Sequence, residues 1–457
     1  MRAALLLSVP LLAVGCLGRT AVRRTAGPEQ SVAQGREALR DGRYLDAAMA
    51  FEHALELDRS NLAAHRGLAH AYFELGRLPE LEDRYRSALA RDPDDPWASY
   101  GLAIVRYARS TAHAKEALQL LARVDALHPG LADVAYRMGL IHLDAEAWRP
   151  AADALGRAVA LDGRNATYRV AYAVALYHLG EKERAIDALA DLLELSPTPA
   201  EVEKARQVAA RITDPLREVP ESVKERVKRG LAWLEQADVP QNAIDILRDV
   251  LLEHPDLAIV HSYVGLAYQR IGSAAEALTH LRRAVELKPD LPLAHLYLGN
   301  FYYGRDRFEE AKEHYEEALR HNPLLLEAHV LLARMAMEHD DRPRALRHLR
   351  AWATLEPENP TPLLELARVL ARSGELDGAQ RALRRVLHLD PDNLEAHLSL
   401  ATIWRRRYEL ARDEASRRAA AAQVEAHAGR VLEAQPDNAA AARLIDAVRG
   451  GTPAQAR

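Results

Sequence analysis

The feature that most constrains the fold of this chain is an internal period of about 34 residues, a length typical of stacked helical repeats. Five prolines, Pro255, Pro289, Pro323, Pro357 and Pro391, follow one another at that constant interval. Each closes an apolar pattern of helical spacing, and proline ends a helix because it lacks an N–H and disfavours helical backbone in the preceding residue. A fixed period of about 20 to 50 residues indicates stacked repeats instead of one globular core.

The unit from Pro292 to Leu325 shows how one repeat is built. Its apolar residues form two successive stripes at helical spacing, so the unit predicts two helices. Small residues stand where two backbones must approach, and tyrosines fill the space beside them. The first stripe contains Leu298, Gly299 and Tyr302, and the second contains Ala311, Tyr315 and Ala318. Because neither helix can bury its stripe alone, each pair must pack against the next pair.

These residues resemble the tetratricopeptide repeat, whose signature places Leu-Gly, Tyr, Ala, Phe or Tyr, Ala and Pro at fixed positions. The same pattern recurs in Val264, Gly265, Tyr268, Gly272, Ala277, Leu281, Ala284 and Pro289, and in Leu366, Ala367, Gly374, Ala379, Leu383, Val386 and Pro391. The resemblance implies an all-α fold, a right-handed superhelical solenoid of about eleven helix-turn-helix repeats in two blocks. The units begin near residues 28, 62, 96, 132, 166, 224, 258, 292, 326, 360 and 394.

The interruptions of the period predict the domain organisation. Block 1 covers residues 31–199 and block 2 covers residues 224–438, and the repeat rhythm fails in the proline-punctuated joint 200–223, where only Glu201 to Ile212 is helix-like. The last repeat is enlarged by about eleven residues around Arg405 to Gln423, which predicts longer helices. Residues 439–449 are expected to form a capping helix over the exposed apolar end, and residues 450–457 a disordered tail.

The first sixteen residues read as an export signal. Arg2 precedes an apolar stretch from Ala3 to Gly15, and the small residues before Cys16 resemble a bacterial lipoprotein signal, although Ala13 stands where that family prefers Leu. The resemblance implies that Cys16 is lipidated, followed by a flexible tether to residue 30, and that the chain is anchored at a membrane of the bacterial envelope. The alternatives are an ordinary cleaved signal, which gives a secreted protein, or a retained anchor.

Charge and motifs argue against several classes of function. The 61 basic and 66 acidic residues give a net charge of −5, which provides no global attraction for nucleic acid. One cysteine allows neither an intramolecular disulfide nor a thiolate metal cage. No phosphate-binding loop, nucleophile elbow or paired-histidine zinc motif occurs. We therefore expect no enzyme activity, cofactor, metal or small-molecule substrate.

Histidines form two ladders along the repeats. His65, His261, His295, His329 and His397 take the fourth position of their repeats, and His280, His314 and His348 form a second series. Equivalent positions in neighbouring helices lie roughly 8–10 Å apart, whereas metal–nitrogen bonds are about 2 Å, so no ladder can share one ion. We interpret these residues as interface histidines multiplied by repeat duplication.

The resemblance also implies a concave groove lined by the first helix of each repeat. The residues expected to point into it are Arg66, Phe73, Tyr100, Tyr107, Tyr136 and Tyr177 in the first block, and Arg270, Asn300, Tyr303, Arg334, Arg368, Arg372, Arg405 and Arg406 in the second. Tyrosines offer contact area and arginines offer forked donors, so we expect an extended or helical protein segment, apolar towards the tyrosines and acidic towards the arginines. The alternative is that the tyrosines are partly core and the arginines only solvated.

Asn300 matches the residue that holds a terminal carboxylate in peptide-clamp members of the family. Leu296 and Gly304 stand where basic companions are needed, which argues against such a clamp. The expected function is a non-catalytic scaffold of the cell envelope that binds protein partners. A self-associating repeat array, or an accessory subunit of an enzyme, remains the alternative.

Overall fold

The computed structural model of this protein describes residues 27–195, 197–235 and 240–450. The predicted signal with Cys16, the tether as far as residue 26 and the tail 451–457 lie outside the described residues. All regular elements of the described part are helices, so the all-α prediction is confirmed. The α-helices are α1 Pro28–Arg40, α2 Tyr44–Leu57, α3 Leu62–Glu74, α4 Leu78–Arg91, α5 Pro96–Arg109, α6 Ala114–Leu127, α7 Ala132–Asp144, α8 Trp148–Leu161, α9 Ala166–Leu179, α10 Lys182–Ala190, α11 Pro199–Ile212, α12 Glu221–Glu235, α13 Pro240–Glu253, α14 Ala258–Arg270, α15 Ala274–Leu287, α16 Pro292–Tyr303, α17 Phe308–His321, α18 Leu326–Glu338, α19 Arg342–Leu355, α20 Thr361–Arg372, α21 Leu376–Leu389, α22 Leu394–Leu410, α23 Glu414–Ala434 and α24 Ala439–Arg449.

Helices pack mainly with their neighbours along the chain. Within a repeat, α7 packs with α8, α14 with α15 and α16 with α17, and first helices of successive repeats also meet, as α14 with α16 and α20 with α22 do. One apolar cluster runs without a break from α15 to α18 and includes the fully buried Leu281, Tyr315 and Leu332. The core is therefore a shared seam between repeats.

Gly299 shows why small residues recur in the first helices. A Cβ placed on Gly299 would lie 2.6 Å from the ring of Tyr315, closer than real atoms approach. Tyr315 has no exposed surface, because its ring fills the space that this glycine leaves between α16 and α17. The same relation holds between Gly35 and Phe51 in the first repeat.

The turn between the two helices of a repeat requires a left-handed residue. Gly272 and Gly374 have φ of 82° and 80° at this position, and the two repeats between them have Asp306 and Asp340 there, at φ of 57° and 52°. Glu146 occupies the same position one repeat before Gly180, with φ of 56°. A non-glycine residue there is strained because its Cβ crowds the backbone.

The described residues form two compact units, divided between Gly180 and Glu181. The first unit contains α1–α9 and the second contains α10–α24. This division lies in the turn between α9 and α10, within the repeat that begins near residue 166. The end of the first block at residue 199, which was inferred from the repeat pattern, stays a prediction. The predicted joint helix is present as α11, which begins at Pro199, is capped by Thr198 in a capping box with Glu201, and packs against α19 in the second unit.

The second unit ends in an enlarged repeat, formed by α22 and α23, and a final helix, α24, as the sequence predicted. α22 and α23 have 17 and 21 residues, which is where the enlargement of the last repeat lies. α24 packs on both of them and buries Leu444, Ile445 and Val448. Within the described ranges, no helix combines the length and the apolar character needed to cross a bilayer.

Candidate functional site

The three arginines predicted for one stretch of the groove, Arg334, Arg368 and Arg372, line a single cleft of about 280 Å³ in the second unit. Arg334 on α18 and Arg368 on α20 take the same position in consecutive repeats. Arg342, at the start of α19, also lines this cleft and was not predicted. The remaining wall is formed by Ala336, Met337, Glu338, Asp340, Ala345, Glu365 and Val369.

The four arginines of this cleft differ in how far they are neutralised. Arg368 is held by Glu365 at 3.0 Å and by Glu395 at 2.9 Å, and Arg342 pairs with Asp340 at 3.2 Å. Among the described residues, neither Arg334 nor Arg372 has a carboxylate at ion-pair distance, and both are exposed. The cleft therefore offers two unneutralised guanidinium groups beside an apolar wall of Met337 and Val369.

The other predicted groove residues of the second unit are engaged with their own chain. Asn300 accepts a hydrogen bond from the Tyr315 hydroxyl at 2.8 Å and donates to Glu327 at 3.1 Å. Arg405 and Arg406 both pair with Glu409, at 2.8 and 3.4 Å. Both the oxygen and the nitrogen of the Asn300 amide are therefore bonded within the chain.

Tyr303 and Arg270 lie further along the same unit. The Tyr303 hydroxyl lies 3.4 Å from the Glu338 carboxylate, to which it donates, and burial together with that carboxylate raises the pKa of Tyr303. The positive charge of Arg334 opposes this rise in the pKa of Tyr303. Arg270 donates to the backbone carbonyl of Leu234. Tyr303 therefore contacts Glu338, a residue of the arginine cleft, and Arg270 bonds to the preceding repeat.

One residue of the first unit that was predicted to point into the groove, Tyr100, is buried instead. Tyr100 has no exposed surface, because its hydroxyl donates to Asp133 of the next repeat and its ring packs in the core. Arg66 pairs with the same Asp133 at 2.7 Å. Burial, followed by the charge of Asp133, raises the pKa of Tyr100. Tyr100 is thus a structural residue and cannot touch a partner.

The remaining aromatic residues of the first unit are only partly available. Tyr107 is half-buried and donates to Asp144, whose pKa is raised by burial. Tyr136 is half-buried with its ring 4.6 Å from that of Tyr168, and Tyr177 is half-buried too. Phe73 is 41% exposed. Most of the rings predicted to form an apolar surface in this unit therefore serve contacts between repeats, and the apolar surface stays a prediction.

The histidine ladders pair in a way that the sequence analysis missed. In four repeats the Nδ1 of the first-helix histidine lies 2.9 to 3.1 Å from the Nδ1 of a second-helix histidine. The pairs are His261 with His280, His295 with His314, His329 with His348 and His397 with His427. In the first three pairs the partners are 19 residues apart, a spacing that could have revealed them.

A second hydrogen bond fixes the tautomers of these pairs. The Nε2 of His329 donates to the carbonyl of Pro323 at 2.9 Å, so its Nδ1 must accept. His348 then donates from its own Nδ1, and both rings are neutral. Burial, followed by the charge of His329, lowers the pKa of His348 to about 3, and burial likewise lowers that of His329. In the described part of the chain no three potential metal ligands come together.

Models of the tetratricopeptide repeat match residues 38–80 and 336–403, 62–105, 136–198 and 292–325, and a model of the TPR repeat matches residues 265–305. Together they cover more than half of the chain. The chain therefore belongs to the tetratricopeptide repeat family, as its sequence predicted. Such repeats form scaffolds for protein–protein interaction, and the chain has this architecture. Among curated proteins no match is found.

Several solved structures are similar at low sequence identity. YrrB, described as a TPR protein with an unusual peptide-binding site, is 20% identical, with 43% of this chain and 96% of that chain covered and a TM-score of 0.37. Yeast Tom70 is 17% identical, with coverages of 92% and 99% and a TM-score of 0.31. PilF of Pseudomonas aeruginosa is 18% identical, with coverages of 48% and 98% and a TM-score of 0.36.

Proposed function

We propose that this protein is a non-catalytic scaffold whose arginine cleft holds an acidic, extended or helical segment of a partner protein. The observation that carries the proposal is the pair of guanidinium groups, on Arg334 and Arg372, that no carboxylate of the described residues neutralises. A hydrogen bond to a charged group contributes about 1.5–3 kcal/mol, roughly twice a neutral one. An acidic side chain entering the cleft gains two such donors.

The residues that line the cleft indicate which kind of peptide segment it can bind. Met337 and Val369 give one wall apolar character, and the neighbouring Arg368 is already held by Glu365 and Glu395. A segment with one acidic residue followed by an apolar one matches this arrangement. A run of several acids fits less well, because Glu338 and Glu365 would repel the additional charges.

Fluorescence anisotropy tests this proposal with a labelled peptide of alternating Glu and Leu, against a Lys and Leu peptide of equal length. We expect the acidic peptide to bind and the basic one to fail. Arg334→Glu with Arg372→Glu should weaken binding at least about tenfold, because two charge-assisted hydrogen bonds are lost. Arg405→Glu with Arg406→Glu is the matched control, since both arginines already pair with Glu409. Equal losses in the two variants would refute a role of the cleft.

The location of the protein is a separate part of the proposal. We place it at a membrane of the bacterial envelope, attached through a lipid on Cys16, on the strength of the apolar stretch and small residues that precede this cysteine. Mass spectrometry of the mature N-terminus tests this directly. A lipidated Cys16 at the first position supports the proposal, and an unmodified cysteine within the chain, or cleavage beyond it, contradicts it.

A further inference from the structure

The second helices of two consecutive repeats carry a basic patch that lies apart from the arginine cleft. It consists of Arg347 and Arg350 on α19 and of Arg381, Arg384 and Arg385 on α21, all of them exposed. Arg381 and Arg384 follow Arg347 and Arg350 by one full repeat, so both helices present the same two positions. The patch therefore has one row of arginines on each of two helices that occupy the same place in consecutive repeats.

The arginines of this patch have no acidic partner among the described residues, in contrast to several other exposed arginines of the second unit. Within the described residues, none of the five lies at ion-pair distance from a carboxylate, although α11 packs against α19. Elsewhere in the same unit Arg307 pairs with Glu310 at 2.5 Å, and Arg320 pairs with Glu317. Arg344, one turn before the patch on α19, pairs with Asp341 at 3.0 Å.

The carboxylates nearest in sequence to the patch are committed to other contacts. Glu356, at the end of α19, accepts from the Trp352 indole and the Asn359 amide, both at 2.8 Å. Asp377, at the start of α21, pairs with Arg407. Asp390, at its end, accepts from the Asn393 amide at 3.0 Å. None of these three carboxylates therefore pairs with an arginine of the patch, in a chain whose net charge is −5.

From this geometry we infer that the patch binds the phosphate headgroups of an anionic lipid surface. Exposed arginines on long flexible stems reach phosphates in a plane, and each basic side chain near such a surface contributes about a fivefold gain in binding. A single-stranded nucleic acid is disfavoured because it needs aromatic stacking platforms, whereas Trp352 beside the patch is half-buried and bound to Glu356. This inference does not depend on the arginine cleft or on lipidation of Cys16.

The test is co-sedimentation of the full chain, carrying Cys16→Ser, with vesicles of phosphatidylcholine alone or mixed with phosphatidylglycerol. We expect binding to the mixed vesicles only, weakening as salt is raised. Arg347→Glu, Arg381→Glu and Arg384→Glu together should lower the partition coefficient about a hundredfold, since three contributions of about fivefold are lost. The corresponding triple change to Gln should give a smaller loss and guards against misfolding of the Glu variant.

The control variant carries Arg307→Glu, Arg320→Glu and Arg283→Glu, which changes the net charge equally at arginines that already have acidic partners. It should retain most of the vesicle binding, as should Arg334→Glu with Arg372→Glu in the cleft. Equal loss in the control, equal binding to neutral vesicles, or binding to duplex DNA in place of vesicles would each overturn the assignment to a lipid surface.

Discussion

The pair formed by His329 and His348 predicts that the second unit loses stability in mild acid. Both rings are neutral in the folded chain, since Nδ1 of His348 carries the hydrogen that His329 accepts, and burial of the two rings disfavours the positive charge that a further proton would add. The unfolded chain has no such restriction, and its histidines take up protons near pH 6.5. Since the folded pKa of His348 is about 3, the unfolded chain binds more protons between these two values.

The sign and the size of the effect follow from this difference. The contribution of His348 to stability is complete above pH 6.5 and is lost progressively as the pH falls towards 3. At pH 5.0 the free energy of unfolding is lower by about 2 kcal/mol than at high pH. This loss is set by the unfolded-state pKa of 6.5, because any folded-state pKa below about 4 gives nearly the same value. The side chain of His348 is only 6% exposed, so solvent screening reduces this value little.

The assay is urea unfolding followed by far-ultraviolet circular dichroism at pH 7.5 and pH 5.0. His348→Asn keeps an N–H donor close to the position of the ring Nδ1 but cannot titrate, so its midpoint should fall less between the two pH values, by the equivalent of about 2 kcal/mol. The exposed His388, changed to Asn, is the control and should behave as the unaltered chain does. If His348→Asn loses as much stability at pH 5.0 as the unaltered chain, the neutral pair is not the origin of the acid sensitivity.

Three further changes test the packing of the repeats. Gly299→Ala should lower thermal stability by about 1–2 kcal/mol because its Cβ overlaps the Tyr315 ring, whereas Gly429→Ala, which meets nothing within 4 Å, should be neutral or slightly stabilising in calorimetry. Tyr100→Phe should cost about 1–3 kcal/mol in urea unfolding by removing the donor to Asp133, and an unchanged midpoint would contradict that role. Glu146→Gly should raise the melting temperature, because up to about 1 kcal/mol of backbone strain at φ 56° is relieved; a lower melting temperature would mean that the Glu146 side chain stabilises more than the strain costs.

The repeat architecture could be predicted from the sequence because its signals are local. Prolines at a fixed interval, a glycine at each close approach and an aromatic residue beside it all specify the same helix pair. The same register brought Arg334 and Arg368 to equivalent positions, so the cleft that they line could be anticipated from the periodicity. Arg342 was not predicted because it lies on the second helix of its repeat, whereas the expected groove residues were taken from first helices only.

The burial of Tyr100 could not be predicted because it depends on a residue in another repeat. The rule for groove positions assigns Tyr100 by its place within α5, but Asp133 on α7 accepts its hydroxyl and draws the ring into the core. The pairing of the histidines was not predicted for a related reason. Their regular spacing is visible in the sequence, but their neutral state follows only from the proline carbonyl that fixes one tautomer.

The enlarged last repeat shows how a solenoid of this kind can lengthen without losing its fit. α22 has 17 residues against 13 in α18, and α23 has 21 against 14 in α19, so the two helices gain four and seven residues. These increments are close to one and two helical turns of about 3.6 residues, so the apolar face returns to the same direction after each. His397 and His427 still meet at 3.0 Å, although 30 residues separate them where His329 and His348 are separated by 19. This hairpin therefore tolerates insertions of whole helical turns. An insertion of two or five residues would rotate the apolar face beyond it away from the neighbouring helix.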